Sequence, residues 1–409
     1  MPAFKIFYRI GMAGEKAVLS HELLKDAFYG ISLSANVACF SRTWVSQFIN
    51  RLGKPFFIDP VSYVFQFPIE QISREGSLKK SFEKLVKIYG EPIISASEGH
   101  QITLSDFDDG IITSMITNIL NFQRNIARSE SNSQKSLFEF GEWLDEEIVE
   151  KEPEFLVPPY FWFDTPESEW YDLNIRIMEL SKDNFQDIPI YGVLCTNKEV
   201  LSNEEWLSKI LRDFDFIDGI LIWLSDFNEY SLNGRILKTF INFVQQLNRE
   251  KDAIMMYGSY FSMIASKFGL NGMSQGVGIS ESKNVTDQPT GGTFSRKYYV
   301  PQAKTSVSVA NAMSFYAEHP ETICRCDICR QNEIHSSDDI YKFFDELTPL
   351  KGKIHYCLCR NSELEEIKNN DKDEIESILS SSIEFCEEMI NGLYDIPYRH
   401  LARWLSAIQ

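Results

Sequence analysis

An α/β architecture, a parallel sheet or barrel followed by a smaller metal-holding unit, is the fold class this sequence predicts, and three observations predict it. Short β-branched and aromatic runs bounded by turn residues, at 36–40, 55–59, 155–163, 188–194, 219–224 and 253–257, alternate with longer stretches. In those stretches, 78–89, 111–126, 167–180, 203–213, 236–249 and 261–268, apolar residues recur every three and four positions, so each presents one face to a sheet. The 409 residues also exceed one ordinary domain of about 100–200 residues, whereas a barrel of about 250 plus an appended unit absorbs them. Finally, three cysteines crowd into six residues near the end of the chain.

The segments between these elements follow in order. The polar run 129–136 reads as a surface loop, and the acidic stretch 142–154 as an exposed helix leading into the next strand. A stretch rich in Thr, Gly, Ser and Asn, 281–296, separates the barrel body from the metal unit. Beyond the cysteines, 362–388 is a charged helical region and 394–408 a final amphipathic helix. In parallel barrels the strands' C-terminal ends carry the chemistry, which directs attention to Asp59, Asp164, Cys195, Ser225 and Gly258. Trp223 and Tyr260 offer faces for stacking on a base or for filling a core, and Gly276-Val-Gly278 reads as a turn before a phosphate loop.

Composition narrows the partners. With 44% apolar residues the chain can fill a large core, yet it has no long apolar segment, so a soluble, cytoplasmic protein without a membrane partner is expected. Eight cysteines suit a reducing compartment better than a disulfide framework in a chain this long. Forty basic against 59 acidic residues give a net charge of −19, which opposes tight binding to tRNA or DNA. Local basic groups exist at Lys79, Lys80, Lys84 and Lys87, and at Arg296, Lys297 and Lys304; solvated surface is their plainer reading.

The sharpest motif is Cys324-Arg-Cys326-Asp-Ile-Cys329. Three thiolates on one turn can share a single zinc ion at about 2.3 Å, with a fourth ligand from elsewhere in the chain. His335, His355, Cys357 and Cys359 all compete for that place. Four protein ligands leave no open position for water, so the metal's expected role is structural.

With His355 placed 26 residues after the third thiol, the cluster resembles the zinc site of tRNA-guanine transglycosylases, and the resemblance selects His355 as fourth ligand. Those enzymes are (β/α)8 TIM barrels with a zinc subdomain, and they exchange guanine in nucleic acid for a 7-deazaguanine-type base through a covalent glycosyl-enzyme intermediate. Tuned relatives act on tRNA or on DNA, and homologues occur in bacterial anti-phage operons. The resemblance runs from about Pro55 onward. Pro55-Phe-Phe-Ile-Asp59 is similar to the strand bearing the family's general-base aspartate, although the glycines of Asp-Ser-Gly-Gly-Phe-Gln are missing and Gln66 lies two positions further out. Phe161-Trp-Phe-Asp164 resembles the context of the aspartate that reads the base; a carboxylate suits the adjacent N1–H and amine donors of guanine.

Elsewhere the pattern departs. Gly192-Val-Leu-Cys195-Thr replaces Gly-Ile-Val-Gln-Gly, and Leu221-Ile-Trp223-Leu-Ser225-Asp226 replaces a Val-Gly-Gly-Leu loop, which makes Cys195, Trp223 and Ser225 the implied base contacts. Ser274 falls where the family's nucleophilic aspartate belongs, leaving Asp226 or Glu281 to supply an attacking carboxylate. The resemblance thus implies a barrel body over 1–290, a zinc-binding subdomain over 291–365, and C-terminal helices over 366–409 packing on the barrel. It implies either base exchange, with Asp59 relaying protons, or a catalytically altered base-binding or scaffold subunit of an anti-phage defence system. A protein partner or a homodimer fits both.

Overall fold

The computed structural model describes residues 4–11, 13–128, 151–247, 251–278, 282–287, 296–344 and 350–409. Seven strands form one curved, half-barrel sheet: β1 (Lys5–Ile10), β2 (Gly30–Ser34), β3 (Phe56–Asp59), β4 (Tyr191–Thr196), β5 (Gly219–Leu224), β6 (Asp252–Met256) and β7 (Gly272–Gln275). Their order is β3-β2-β1-β7-β6-β5-β4, and every neighbouring pair is parallel. Helices return the chain between them: α1 (Ala13–Leu19) after β1, α2 (Ala35–Phe40) and α3 (Arg42–Leu52) after β2, α4 (Lys80–Tyr89) and α5 (Asp109–Asn125) after β3. Next come α6 (Glu169–Asn184) before β4, α7 (Glu204–Asp213), α8 (Gly234–Gln246) and α9 (Tyr260–Ala265). Local chemistry starts these helices where they start. Asn203 accepts from Glu205 N and Trp206 N at the head of α7, and Asn233 from Ile236 N at the head of α8.

The concave face is filled by rings. Phe7 meets Phe57 edge-on at 5.1 Å, Phe57 stacks on Phe155 at 4.8 Å, and Phe155 stacks on Tyr191 at 3.8 Å. A Cβ on Gly219 would lie 2.5 Å from the Tyr191 ring, so only glycine leaves that ring its place. Nearer the strands' N-terminal ends, Lys5 pairs with Asp252 at 2.6 Å and Glu154 at 3.6 Å. Tyr29 donates to Glu154 at 2.5 Å and Tyr191 to Asp252 at 2.8 Å, so the half-buried charges are matched.

Residues 154–163 lie between the two edge strands. Glu154 N donates to Phe56 O of β3 at 2.8 Å; Leu156 N donates to Pro189 O at 2.8 Å and Leu156 O accepts from Tyr191 N of β4 at 2.9 Å. Leu156 and Ile190 form a single ladder bridge, and side chains take several of the remaining backbone groups. Gln123 brackets Val157 N and O, Ser62 Tyr160 N and O, Asn174 Phe161 N and O, and Gln66 Trp162 N and O. Thr196 Oγ1 donates to Phe163 O at 2.8 Å, and Phe163 N donates to Cys195 O at 3.2 Å. A buried chain must pair its backbone, and here amides and hydroxyls substitute for a full ladder.

The C-terminal part carries an antiparallel hairpin, β8 (Lys297–Val300) with β9 (Thr305–Ser308). After it come α10 (Val309–Glu318), α11 (Asp327–Gln331), α12 (Leu350–Asn369), α13 (Lys372–Met389) and α14 (Arg399–Ile408). α14 lies against α8, where a Cβ on Gly234 would stand 3.1 Å from Arg403 O, and Trp404 Nε1 donates to Glu229 O at 2.8 Å. Between α12 and the sheet lies a buried polar cluster. Arg360, fully buried, donates to Glu363 (2.9 Å), Tyr299 (3.0 Å), Tyr230 (2.8 Å) and Tyr356 (3.2 Å).

Several expectations are corrected. Residues 36–40 form helix α2, because Ala35, Ala38 and Cys39 are buried at helical spacing and the strand precedes them as β2. β1, β2 and β7 were not anticipated: Lys5, Arg9, Ser32 and Ser274 break their apolar pattern, and these polar residues lie among the strands. The acidic helix expected over 142–154 falls outside the described residues as far as 150, and 151–154 are not helical. The loop expected over 129–136 and much of 281–296 also lie outside them. The single helical region over 362–388 is two helices, since Asp371 and Glu374 form a capping box that starts α13. No described helix is long and apolar enough to cross a membrane.

Candidate functional site

Two clusters of chemistry-bearing side chains stand out. At the first, Cys326 N-caps α11, which places Cys329 one turn on, while Cys324 sits just upstream and His355 comes from α12. All four ligand atoms, three Sγ and one imidazole nitrogen, lie within 4.8 Å of one another. Cys326 Sγ is 3.5 Å from Cys329 Sγ and 3.3 Å from His355 Nδ1, and Cys329 Sγ is 3.5 Å from the same nitrogen. Bonds of about 2.0–2.3 Å in a tetrahedron need edges of this size, so the donor set fits one metal ion. On its far side His355 Nε2 lies 2.9 Å from Tyr299 O, which makes Nε2 the protonated nitrogen and turns the Nδ1 lone pair toward the metal. Tyr298 stacks on the imidazole at 4.5 Å.

Geometry decides between the competing fourth ligands. His335 is exposed, and Cys357 faces Tyr8, its thiol pushed up to about 12 chiefly by burial. Cys359, one turn after His355, is a fifth donor at the rim, 3.7 Å from Cys324 Sγ and 3.6 Å from His355 Nδ1.

The second cluster lies at the C-terminal ends of the strands. Asp59 ends β3 and is 7% exposed; its Oδ1 accepts from Val61 N at 3.0 Å and from the Tyr160 hydroxyl at 2.9 Å. Burial pushes its carboxyl above the usual range, while Lys283, the Val61 N–H, Tyr160 and Arg9 pull the other way. Around it stand Tyr63, Tyr160, Trp223 and Tyr257, with Trp223 edge-on to Tyr63 at 4.7 Å and tilted against Tyr257 at 5.3 Å. The Arg9 guanidinium lies over the Tyr257 ring, 3.9 Å from its centroid. Two residues of this rim, Val61 (φ 48) and Tyr257 (φ 61), adopt the left-handed conformation that a branched or bulky side chain seldom takes, a mark of functional sites. The segment 282–287 crosses the cluster. Trp223 Nε1 donates to Lys283 O at 2.9 Å, Val285 N donates to Ser225 Oγ at 2.8 Å, and Lys283 Nζ donates to the Tyr63 hydroxyl at 2.5 Å.

The expected site residues divide here. Asp59, Trp223 and Ser225 come together, and Cys195 is buried near Asp59, whose charge adds to burial in raising its thiol. Asp226 forms an ion pair with Lys198 and also accepts from Lys198 N at 3.2 Å. Asp164 is exposed and accepts from Thr165 N at 2.8 Å, the geometry of a local turn. Glu281 lies outside the described residues. Ser274 shares a hydrogen bond of 2.8 Å with Ser32, both buried. Tyr260 stacks on Trp404 at 5.4 Å, a packing role, and Gly278 N bonds Gly276 O at 3.1 Å in a turn. Lys304 is buried against Glu363 and Glu366, which removes it from the basic group once drawn with Arg296 and Lys297. Lys80, Lys84 and Lys87 are exposed on α4.

Sequence reasoning missed Arg9, Tyr63, Tyr160, Tyr257 and Lys283. Tyr257 directly follows β6, so the strand-end rule could have found it; Lys283 carries no local signal. Glu229 was missed as well: its buried carboxylate accepts from Ser259 N and Oγ and from Ser262 N and Oγ, clamping the start of α9. Chemically, the cluster offers a buried carboxylate beside aromatic rings, suited to a planar ligand with adjacent N–H donors. No model of a known protein family matches this chain, and no curated protein is significantly similar to it in sequence.

Proposed function

We propose that this chain is a transglycosylase-like protein that recognises, and in its active form exchanges, a guanine or 7-deazaguanine-type base at the strand-end cluster. The observation that carries this reading is Asp59, a buried carboxylate held by Tyr160 and Val61 N at a strand's C-terminal end between aromatic walls. In this reading Asp59 accepts the base's N1–H and amine protons or relays them, and the rings around it offer a face on which the base stacks. Residues 154–163 are taken as the eighth strand of a (β/α)8 barrel, supported by their bonds to both β3 and β4. The metal is taken as zinc, on the donor set and spacing, with the role of holding β8, α11 and α12 together. A cytoplasmic location follows from the cysteine usage.

Incubation with tRNA and with duplex DNA in the presence of labelled guanine or 7-deazaguanine tests the exchange. Label should enter one of the two, and incorporation into neither would rule exchange out. A second reading, a base-binding or scaffold subunit of a defence system, is favoured by a specific observation: Asp226 is committed to Lys198, Asp164 is exposed and Ser274 is paired with Ser32. Guanine binding without exchange, read by calorimetry, is its signature.

A further inference from the structure

The aromatic rim at the strand ends encloses a cation supplied by the chain itself. We propose that the space between Tyr63, Trp223 and Tyr257 is a binding site for a primary alkylammonium group, and that Lys283 fills it from within, so that an external ligand enters only when Lys283 is withdrawn.

The Lys283 ammonium lies 5.2 Å from the Tyr63 ring centroid, 5.3 Å from that of Trp223 and 5.6 Å from that of Tyr257. Rings at such distances on several sides attract a desolvated cation through their quadrupoles, the device used by aromatic cages for ammonium ligands. The Tyr63 hydroxyl accepts from Nζ at 2.5 Å, and buried Asp59 supplies negative charge in the same enclosure. Lys283 is half-buried, and drawing an ammonium in among rings is costly unless it is so paired, whereas filling a hole would have needed only leucine or methionine.

The cage also fixes its occupant. Trp223, one wall, donates to the Lys283 carbonyl, and Ser225 and Asn228 hold Val285 N (2.8 Å) and Ser282 Oγ (3.2 Å) on either side. The left-handed backbone at Tyr257 points the same way, since strain of this kind persists only where the surroundings enforce it. The proposal stands on this cage alone and holds whether or not a purine-type base is the ligand.

The test uses the full chain, the variants K283G and K283M, and n-butylammonium, which copies the lysine side chain, with n-pentanol as the neutral control. K283G should bind n-butylammonium and gain about 2 °C or more in Tm at concentrations well above its Kd. The unmodified chain and K283M, whose cages are filled, should bind it at least about tenfold more weakly. Pentanol should do nothing. Equal binding by the unmodified chain and K283G, no binding by K283G, or an equal effect of pentanol would each overturn the proposal. Should K283G fail to fold alone, recovery of folding by n-butylammonium and not by pentanol supports it, and recovery by both or neither counts against it.

Discussion

At the metal centre three of the four ligands come from one six-residue turn and the fourth from a single helix, whereas the strand-end box gathers Arg9, Asp59, Tyr160, Trp223, Tyr257 and Lys283 from across the sheet. The first is a local motif closed by one distant residue. The second exists only once the parallel sheet has formed. Their energetics differ accordingly. A metal bound there would hold several elements to one point, so its loss should be felt as unfolding, while the box is supported by a scaffold that outlasts any one of its side chains.

The largest effect should separate the two regions outright. Cys326→Ser should abolish metal binding by elemental analysis and expose the chain beyond β8 to proteolysis, with β1–β7 retained; full metal content would break the comparison. Next comes the buried cluster beside α12. Glu363→Gln removes the carboxylate that pairs with Arg360 at 2.9 Å and also lies 3.7 Å from Lys304, and urea unfolding should register a loss of about 3–5 kcal/mol.

A pH series probes the same C-terminal region. Burial pushes His400 down to about 4, with Arg360 and Arg403 lowering it further, although its Nε2 bond to Ala303 O at 2.9 Å opposes them. Its unfolded value is about 6.5, so its contribution is complete above that pH and is lost as the pH falls toward 4, a decline on the order of 3 kcal/mol. Unfolding curves at pH 7.5 and 4.5 should show this slope, and His400→Gln should flatten it. The smallest change in stability belongs to the box. Because burial works against the charge on Asp59, Asp59→Asn should shift stability at pH 7 by no more than about 1 kcal/mol. The same variant should weaken guanine binding by about tenfold or more, measured by calorimetry. A large destabilisation would make Asp59 a scaffold residue like Cys326.

What the sequence displays follows the same division. The cysteine spacing and the strands with unbroken apolar runs, such as β5, were legible because their signals are local. β1, β2 and β7 were not, because Lys5, Arg9, Ser32 and Ser274 take interior partners that only the assembled sheet supplies. The strand-end rule singled out Asp59 and Asp164 alike, and the structure buries the first and exposes the second, since position along a strand does not say whether the following turn faces inward. Lys283 was out of reach: nothing in a polar loop announces that its lysine reaches in among rings distant in sequence.

The stretch 154–163 has a consequence for motion. Regular strands exchange their amide hydrogens together, as a ladder opens or stays shut. Here Val157, Tyr160, Phe161 and Trp162 hang on four separate side chains, Gln123, Ser62, Asn174 and Gln66, drawn from three different helices. This is a laced seam rather than a woven one. Two of those stitches, Ser62 and Gln66, sit on the short helix that follows Asp59 and also carries Tyr63, so a change in the seam would be felt at the box.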